Sequence, residues 1–526
     1  IWAVEWRDLS RKSTPSLKRS MEEIIWSDEP LNPRDAMLGG RTNALSLYWK
    51  QEHLEEFLKY IDACSLYPTV MFNDSYPLGH HRVLKGSDRG THQGLLDKRW
   101  FGIAKVKMLP PQNLLHPVLP TRAPNGKVCF YLCNQCGKEG AVSPCQHPPK
   151  KRAISGTWYT PEIYKALEEG YTLLETYEVW HWDQQTTGLF REYIRTFLKV
   201  KIESSELPPS VKTEEDKLVY INEVKELFGI TLSLADLVPN PGRRAVAKLC
   251  LNSLWGKYGQ RQNMTQSKLI REENELSKIV FNPKYTDIHG VIINESVYEV
   301  SYRENTDWVS NPFTTNIVVV GFTTAHARIR LYDMIKRLGT RVKYHDTDSI
   351  IYFCDDANPP IETGYHLGEW TDELWDKKLL RSAKIILFVS GGPKCYGYVL
   401  DTGKVKMKLK GFNLNHKNKK SLNLLNMFSV ISGGMRLDTQ VADIIHDGIG
   451  NMLTLTPEET KIAAAVKETG HVTIIESNIV RDKKHKIIKT VPNMAKVFSH
   501  TYDKRVILPF STGDNEIRTV PYGYVA

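Results

Sequence analysis

Lys343 to Phe353 reads KYHDTDSIIYF, and the interpretation of this stretch decides the fold. Val342, Tyr344, Ile350, Tyr352 and Phe353 favour strands, while His-Asp-Thr-Asp has turn chemistry. The expectation is a β-hairpin with Asp346 and Asp348 at its tip. Two carboxylates one residue apart at such a tip can face one divalent ion, and hard oxygen ligands of this kind suit Mg²⁺. A lone Asp-x-Asp would read as a solvated acidic turn. The β-prone flanks and the rest of the chain turn the reading toward metal.

Working outward, Asp62 lies inside the apolar run YIDACSLYPTV, read as a buried strand that follows a helical pattern at Leu54, Phe57 and Leu58 and ends at Pro68. A buried carboxylate is costly unless paired or metal-bound. If the two strands lie side by side in a palm-like sheet, Asp62 and Asp348 can hold two Mg²⁺ ions about 3.5–4 Å apart and clamp both oxygens of an in-line phosphoryl displacement. Between them in sequence, Arg244, Lys248 and Asn252 fall at i, i+4 and i+8 of a helix expected from about Arg243 to Trp255, hence on one face. That face can grip a triphosphate, with Lys248 meeting charge on the leaving group and Asn252 and Tyr258 lining a base and sugar pocket. A helix with a solvated basic side is the competing interpretation.

The 526 residues have room for several subdomains, and 41% hydrophobic with 25% charged residues describe a chain that folds. No window approaches about 18 uninterrupted apolar residues. The first thirty residues lack a basic-then-apolar export pattern, so neither a membrane span nor a signal peptide is expected. Eight cysteines are too few for a disulfide scaffold, and a reducing compartment follows: cytoplasmic or nuclear, nuclear if the source is eukaryotic. The net charge of +10 is concentrated in RSAK, KVKMKLK and NHKNKK, which points to a polyanion partner as against a generic basic surface. The chain opens at Ile1, as a fragment would.

Four cysteines crowd between 129 and 145. Cys133-x2-Cys136-x8-Cys145-x-His147 has the donors of a closed tetrahedral Zn²⁺ site, with Cys129 as a substitute ligand and free thiols in a loop as the alternative. Cys64, Cys250, Cys354 and Cys395 sit in apolar contexts and read as small core residues. Further along, Thr160–Gly170 is expected to be a helix, TLLETYEVWHW a strand, Phe190 to Leu198 an amphipathic helix, and Asn316 to Leu338 a long helix stopped by Gly339. The last hundred residues are expected to be mostly helical with short strands near the end.

The pieces DACSLYP (62–68), KLCLNSLWG (248–256) and YHDTDS (344–349) resemble, in order, the A, B and C motifs of family B DNA polymerases, and Lys394-Cys395-Tyr396 resembles the Lys-x-Tyr motif of the protein-primed branch. Within that branch GGRTNA, KLCLNSLWGKYGQR, TTAHARIRLYDMI and YDKRVILPF with TVPYGY are most similar to polymerases of Maverick/Polinton-type transposons and related viruses. The resemblance covers nearly the whole chain. It implies an α+β right-hand fold, a palm with antiparallel sheet, helical fingers and a thumb, carrying two insertions. The implied divisions are 1–36 as a linker or remnant, 37–85 as the first part of the palm, 86–186 as an insertion with the candidate zinc site and a return to the palm, and 187–260 as fingers. A second insertion spans 261–315, the second part of the palm 316–412, and the thumb with the C-terminal region 413–526.

The same resemblance implies a DNA-directed DNA polymerase using two Mg²⁺ ions, with primer-template DNA and dNTPs as partners and a terminal priming protein as a further one. Asp62 and Asp348 would bind metal and Asp346 would be the third catalytic carboxylate. Tyr67 would be the steric gate against a 2′-hydroxyl, with Ser65, Leu66, Arg244, Lys248, Asn252 and Tyr258 around the incoming dNTP. Lys394 and Tyr396 would meet the primer end, Lys408 and Lys410 the duplex phosphates, and Gly39, Gly40, Arg41 and Thr347 the primer-template. Met37 stands where the family's template motif has an aromatic residue, and Trp255 where motif B usually has Tyr. Only 36 residues precede the Gly-Gly motif that begins at Met37, which leaves no room for the family's 3′-5′ exonuclease domain and implies no proofreading by this chain. The contrasting interpretations are an inactive nucleic-acid-binding remnant of a mobile element, which the intact acidic triad argues against, and a reverse transcriptase or RNA polymerase, against which the Lys-x3-Asn-Ser helix and the SLYP gate speak.

Overall fold

Val342–Asp346 and Ser349–Cys354 form the expected antiparallel hairpin, with Tyr344 opposite Ile351, His345 opposite Ile350 and Asp346 opposite Ser349. In this computed structural model the described residues are 28–526, apart from 143, 209–210, 261–262, 295, 309–314, 434–456, 483–486, 501 and 512–513. The strands are apolar on both faces because both are covered. Val342, Ile350 and Tyr352 pack with Leu331, Ile335 and Leu338 of the helix Ile317–Leu338. Tyr344 and Ile351 turn the other way, into a core with Leu58, Leu387 and Phe388. Period-two alternation thus serves two cores at once.

Among the described residues this hairpin belongs to an eleven-stranded sheet whose main path runs Thr42–Ala44, Val342–Asp346, Ser349–Cys354, Phe57–Ala63, Ile385–Gly392, Ser46–Lys50, Glu516–Val520, Val506–Ile507. Trp370–Asp372 pairs with the Phe57–Ala63 strand, and Cys395–Leu400 and Val405–Leu409 extend the sheet from Ile385–Gly392. All its ladders are antiparallel. A four-stranded sheet, Arg82–Lys85, Thr172–His181, Gly102–Leu109 and Ile154–Tyr159, adjoins it. The Pro- and Gly-rich stretch after residue 86 therefore contains a central strand, Gly102–Leu109. Residues 261–315 likewise contain a three-stranded sheet, Gln266–Ile270, Val297–Glu304 and Tyr285–Asn294. The fold class is α+β, as expected.

Two local expectations change. Leu54 to Phe57 is not helical: the chain enters the strand Phe57–Ala63 directly, and the strand stops at Ala63 rather than Pro68. Pro68 sits instead in the first turn of the helix Leu66–Asn73, where its missing N–H leaves no hydrogen bond unmade. The C-terminal region is less helical than expected. It contains the long hairpin His471–Asp482 with Ile487–Ser499, and Glu516–Val520 pairs with Ser46–Lys50 across some 470 residues of sequence.

Candidate active site

The Asp346-Thr347-Asp348 turn is tight because the Asp348 N–H donates to the Asp346 carbonyl at 2.6 Å, a three-residue turn that puts Thr347 at φ +61°. Such a backbone is strained for a β-branched residue and persists only when its surroundings hold it. They do so here through the Thr347 N–H, which donates to the Arg41 carbonyl at 2.8 Å, and through Gly40, where an added Cβ would come within 2.8 Å of the Thr347 hydroxyl. The close approach that the Gly-Gly pair allows is thus made at Gly40. The pair is held from behind by Arg328, whose guanidinium donates to the carbonyls of Leu38 (2.6 Å) and Gly39 (2.9 Å) and is paired with buried Glu162 at 2.8 Å.

Asp62 comes to the same place from the neighbouring strand. Its cross-strand partner is Ser349, and the Ala63 N–H donates to the Asp348 carbonyl at 2.7 Å. Asp62 and Asp348 both line a cavity of about 1220 Å³. Burial first, then the Asp348 and Glu373 carboxylates, push the Asp62 carboxyl up to about 7. Burial and the Asp346 carboxylate raise Asp348 as well. Lys408, across the sheet from Tyr396, acts on both acids in the opposite sense. Two crowded, half-buried carboxyls facing open space fit a hard divalent cation, which would favour their charged forms. Asp346 stands beside them, accepting from the Thr347 hydroxyl at 3.1 Å, with the Lys394 ammonium 3.8 Å away.

The opposite wall is basic. The helix Pro241–Tyr258 starts where Asn240 caps the Arg243 N–H, and it presents Arg244, Lys248 and Asn252 to the cavity, as their spacing requires. Arg244 donates to the Ser205 hydroxyl at 3.1 Å. Lys201, from the helix Arg191–Glu203, joins them and donates to the Ser65 hydroxyl at 2.9 Å; burial and the nearby Arg244 and Lys248 charges lower its basicity. In sequence Lys201 lies just past the amphipathic pattern of Phe190 to Leu198, with nothing there to mark it as a site residue. Ser65 itself is the residue before the Leu66–Asn73 helix, at φ +57°, and its side chain makes no capping hydrogen bond to it. Its neighbours Leu66 and Tyr67 line the same cavity.

Tyr67 stacks on Trp255, ring centroids 4.3 Å apart and planes inclined by 24°. Trp255, which the sequence marked only as a departure from the family's Tyr, is thus the aromatic wall of the site. Tyr258 is not: it lies one turn further along, against Phe190, outside the cavity lining. Arg41 is also corrected. It is fully buried, donates to the Pro117 carbonyl at 2.6 Å and lies over the Phe130 ring, so its guanidinium is unavailable to nucleic acid and its part in the site is the carbonyl that holds Thr347. Gly39 is exposed. Lys394, at φ +62°, and the exposed Lys408 and Lys410 form an edge beside the acids; Lys410 N–H donates to the Lys394 carbonyl at 3.0 Å. Tyr396 is buried, its hydroxyl 3.2 Å from that of Tyr60, so it shapes this edge from beneath.

The antiparallel sheet sets Asp62 and Asp348 beneath a basic helix face, and the family model of DNA polymerase type B, organellar and viral, matches residues 27–214 of this chain. The matched span includes Asp62 and Tyr67 and ends before the Lys248 helix. A probable DNA polymerase of Neurospora intermedia is 24% identical over 367 residues, 68% of this chain and 30% of that protein, so the chain spans less than a third of the length of this relative. Among solved structures, Phi29 DNA polymerase complexed with primer-template DNA and incoming nucleotide substrates is similar at TM-score 0.49 and 16% identity, covering 89% of this chain and 62% of that one. Its orthorhombic crystal form gives 0.45 and 17%, covering 75% and 57%. Among the described residues no helix is long and apolar enough to cross a membrane.

Proposed function

We propose that this chain is a DNA-directed DNA polymerase that extends a primer 3′ end from dNTPs, with two Mg²⁺ ions held by Asp62 and Asp348. The observation that carries this reading is the meeting, in one cavity, of two acids from sequence-distant strands with Arg244, Lys248 and Asn252 from a helix between them. Bound there, divalent ions would supply activation of the primer hydroxyl and neutralisation of charge on the departing pyrophosphate. The chain's own groups do the rest. Lys248, Arg244 and Lys201 supply the positive charge that meets the triphosphate. The stacked Tyr67 and Trp255 rings form a wall that a deoxyribose can lie against and that a 2′-hydroxyl would crowd. Asp346, next to Lys394, keeps the primer edge of the site polar, and the Lys408 and Lys410 edge faces the duplex backbone, where cation contacts are sequence-independent.

The protein-primed branch, with a terminal priming protein as partner, and replication of a mobile-element or virus-like genome are supported by the Lys394-Cys395-Tyr396 and GGRTNA motifs. An inactive remnant is disfavoured because all three carboxylates and the basic face are present together. The test is primer extension by the purified chain on a DNA primer-template with Mg²⁺ and each dNTP in turn. Template-directed addition of the complementary dNMP is expected. Binding of the duplex with no addition of any nucleotide would assign the chain to the remnant class.

A further inference from the structure

Cys133, Cys136, Cys145 and His147 line no part of the cavity, yet they form a cluster of their own. One ligand atom from each lies within 4.8 Å of all the others. The His147 Nδ1 is 3.5 Å from the Cys133 sulfur, 3.3 Å from that of Cys136 and 3.8 Å from that of Cys145. Sulfur ligands of one tetrahedral Zn²⁺ at bond lengths of about 2.3 Å stand about 3.8 Å apart, so the cluster has the right size. The other ring nitrogen of His147 lies 3.8 Å from the Glu139 carboxylate, on the side where a metal-bound histidine commonly has an outer carboxylate partner. Cys133 caps the short helix Asn134–Glu139, its sulfur accepting from the Cys136 N–H at 3.4 Å. None of the three sulfurs is in a disulfide. Cys129, the substitute ligand considered from the sequence, is outside the cluster. Three soft sulfurs and one imidazole select zinc over hard cations.

The cluster has two structural neighbours. The segment after Glu516–Val520 runs directly against it: the Leu132 N–H donates to the Tyr522 carbonyl at 2.8 Å, the Tyr131 and Tyr522 rings meet edge to face, and a Cβ on Gly523 would lie 2.4 Å from that of Cys133. On the other side, Phe130 lies under the Arg41 guanidinium at 4.2 Å, and the Arg41 carbonyl holds the Thr347 N–H of the acidic turn. We propose that Cys133, Cys136, Cys145 and His147 hold one structural Zn²⁺ ion that fixes residues 521–525 against the cluster and braces the Phe130–Arg41 support beneath the acidic turn. The four protein donors complete the coordination shell, so this ion takes no substrate and its role is independent of the polymerase reading.

The test is metal analysis of the full chain purified from zinc-supplemented culture. About one zinc per chain is expected, falling below about 0.1 in the Cys136→Ser, Cys145→Ser double variant and retained in His147→Cys, since four thiolates make an equally closed site. Retention in His147→Cys separates loss of ligands from loss of folding. Replacement by Co²⁺ should give the visible absorption of a tetrahedral thiolate site. Chelation of the wild-type protein should lower its melting temperature and open residues 521–526 to carboxypeptidase. Absence of zinc from the wild-type chain, with all three thiols reacting freely with a thiol reagent in the folded protein, would overturn the proposal. So would zinc content unchanged by the double variant.

Discussion

The two walls of the cavity are built in opposite ways. The acidic floor is locked: its strands are covered on both faces, and the turn between Asp346 and Asp348 is held by the Arg41 carbonyl on one side and the Asp62 strand on the other. The basic roof is loosely seated. Along the helix Pro241–Tyr258 only Ala247 and Leu251 are buried, while Val246 and Leu249 are 61% and 66% exposed. Few buried apolar contacts mean a low cost of local movement. On the proposed function the contrast separates labour: the floor holds the reacting centre in one geometry, and the sparsely buried roof can move against a triphosphate at low cost.

If that division holds, changes to the floor should cost the most. Asp348→Asn is expected to lower single-turnover primer extension by roughly 10⁴-fold while leaving duplex affinity nearly unchanged, because the lost group acts on the transition state. Equal losses of affinity and rate would place Asp348 in binding instead. Lys248→Ala, on the roof, should lower kcat/KM for dNTP by about 10²–10³, with the larger share in KM. A pure kcat effect would mean that the roof is as fixed as the floor. Between the walls, Tyr67→Val removes the ring that stacks on Trp255, and discrimination against ribonucleotides should fall by on the order of 100-fold in single-nucleotide incorporation. Unchanged sugar selectivity would remove the gate from the account.

The smallest effect concerns the support of the floor. His116, buried with its Nε2 2.9 Å from the Gly339 carbonyl, is driven down to about 3 by burial and by the Arg41 and Arg505 cations, and His345 is lowered in the same way by burial, Arg41, His116 and Arg505. Their folded-state values lie below the ordinary histidine value, so the unfolded chain binds more protons below about pH 6.5. Stability present above about pH 6.5 is therefore lost as the pH falls below it, through the window down to about 3 for His116 and in the same direction for His345. The melting temperature should drop between pH 7 and 5, and less steeply in His116→Gln; an identical slope in the variant would contradict this. The roof has no such buried histidines.

The floor was legible in sequence for local reasons. A hairpin reveals itself by two strand-forming runs around a turn, a carboxylate inside an apolar run is conspicuous, and the i, i+4, i+8 spacing of Arg244, Lys248 and Asn252 does place them on one face. The cysteine spacing likewise announced its cluster. What escaped depends on contacts without local signature. Nothing near Trp255 says that it stacks on Tyr67, and nothing near Arg328 says that it clamps Leu38 and Gly39 from some 290 residues away. Arg41 sits beside a glycine pair that approaches the turn, so a role in contacting DNA was natural to expect; its burial under Phe130 and Pro117 is a tertiary fact. The pairing of Glu516–Val520 with Ser46–Lys50 is equally invisible, because a five-residue strand near the end of the chain carries no mark of its partner near the start.

Convergence of the two aspartates on one reaction is tested most directly by a double-mutant cycle in single-turnover primer extension. Groups that act as a unit are not additive, so Asp62→Asn combined with Asp348→Asn should extend no more slowly than the worse of the two single variants. If instead the two losses multiply, the carboxylates act independently and the shared site that joins floor to roof does not exist.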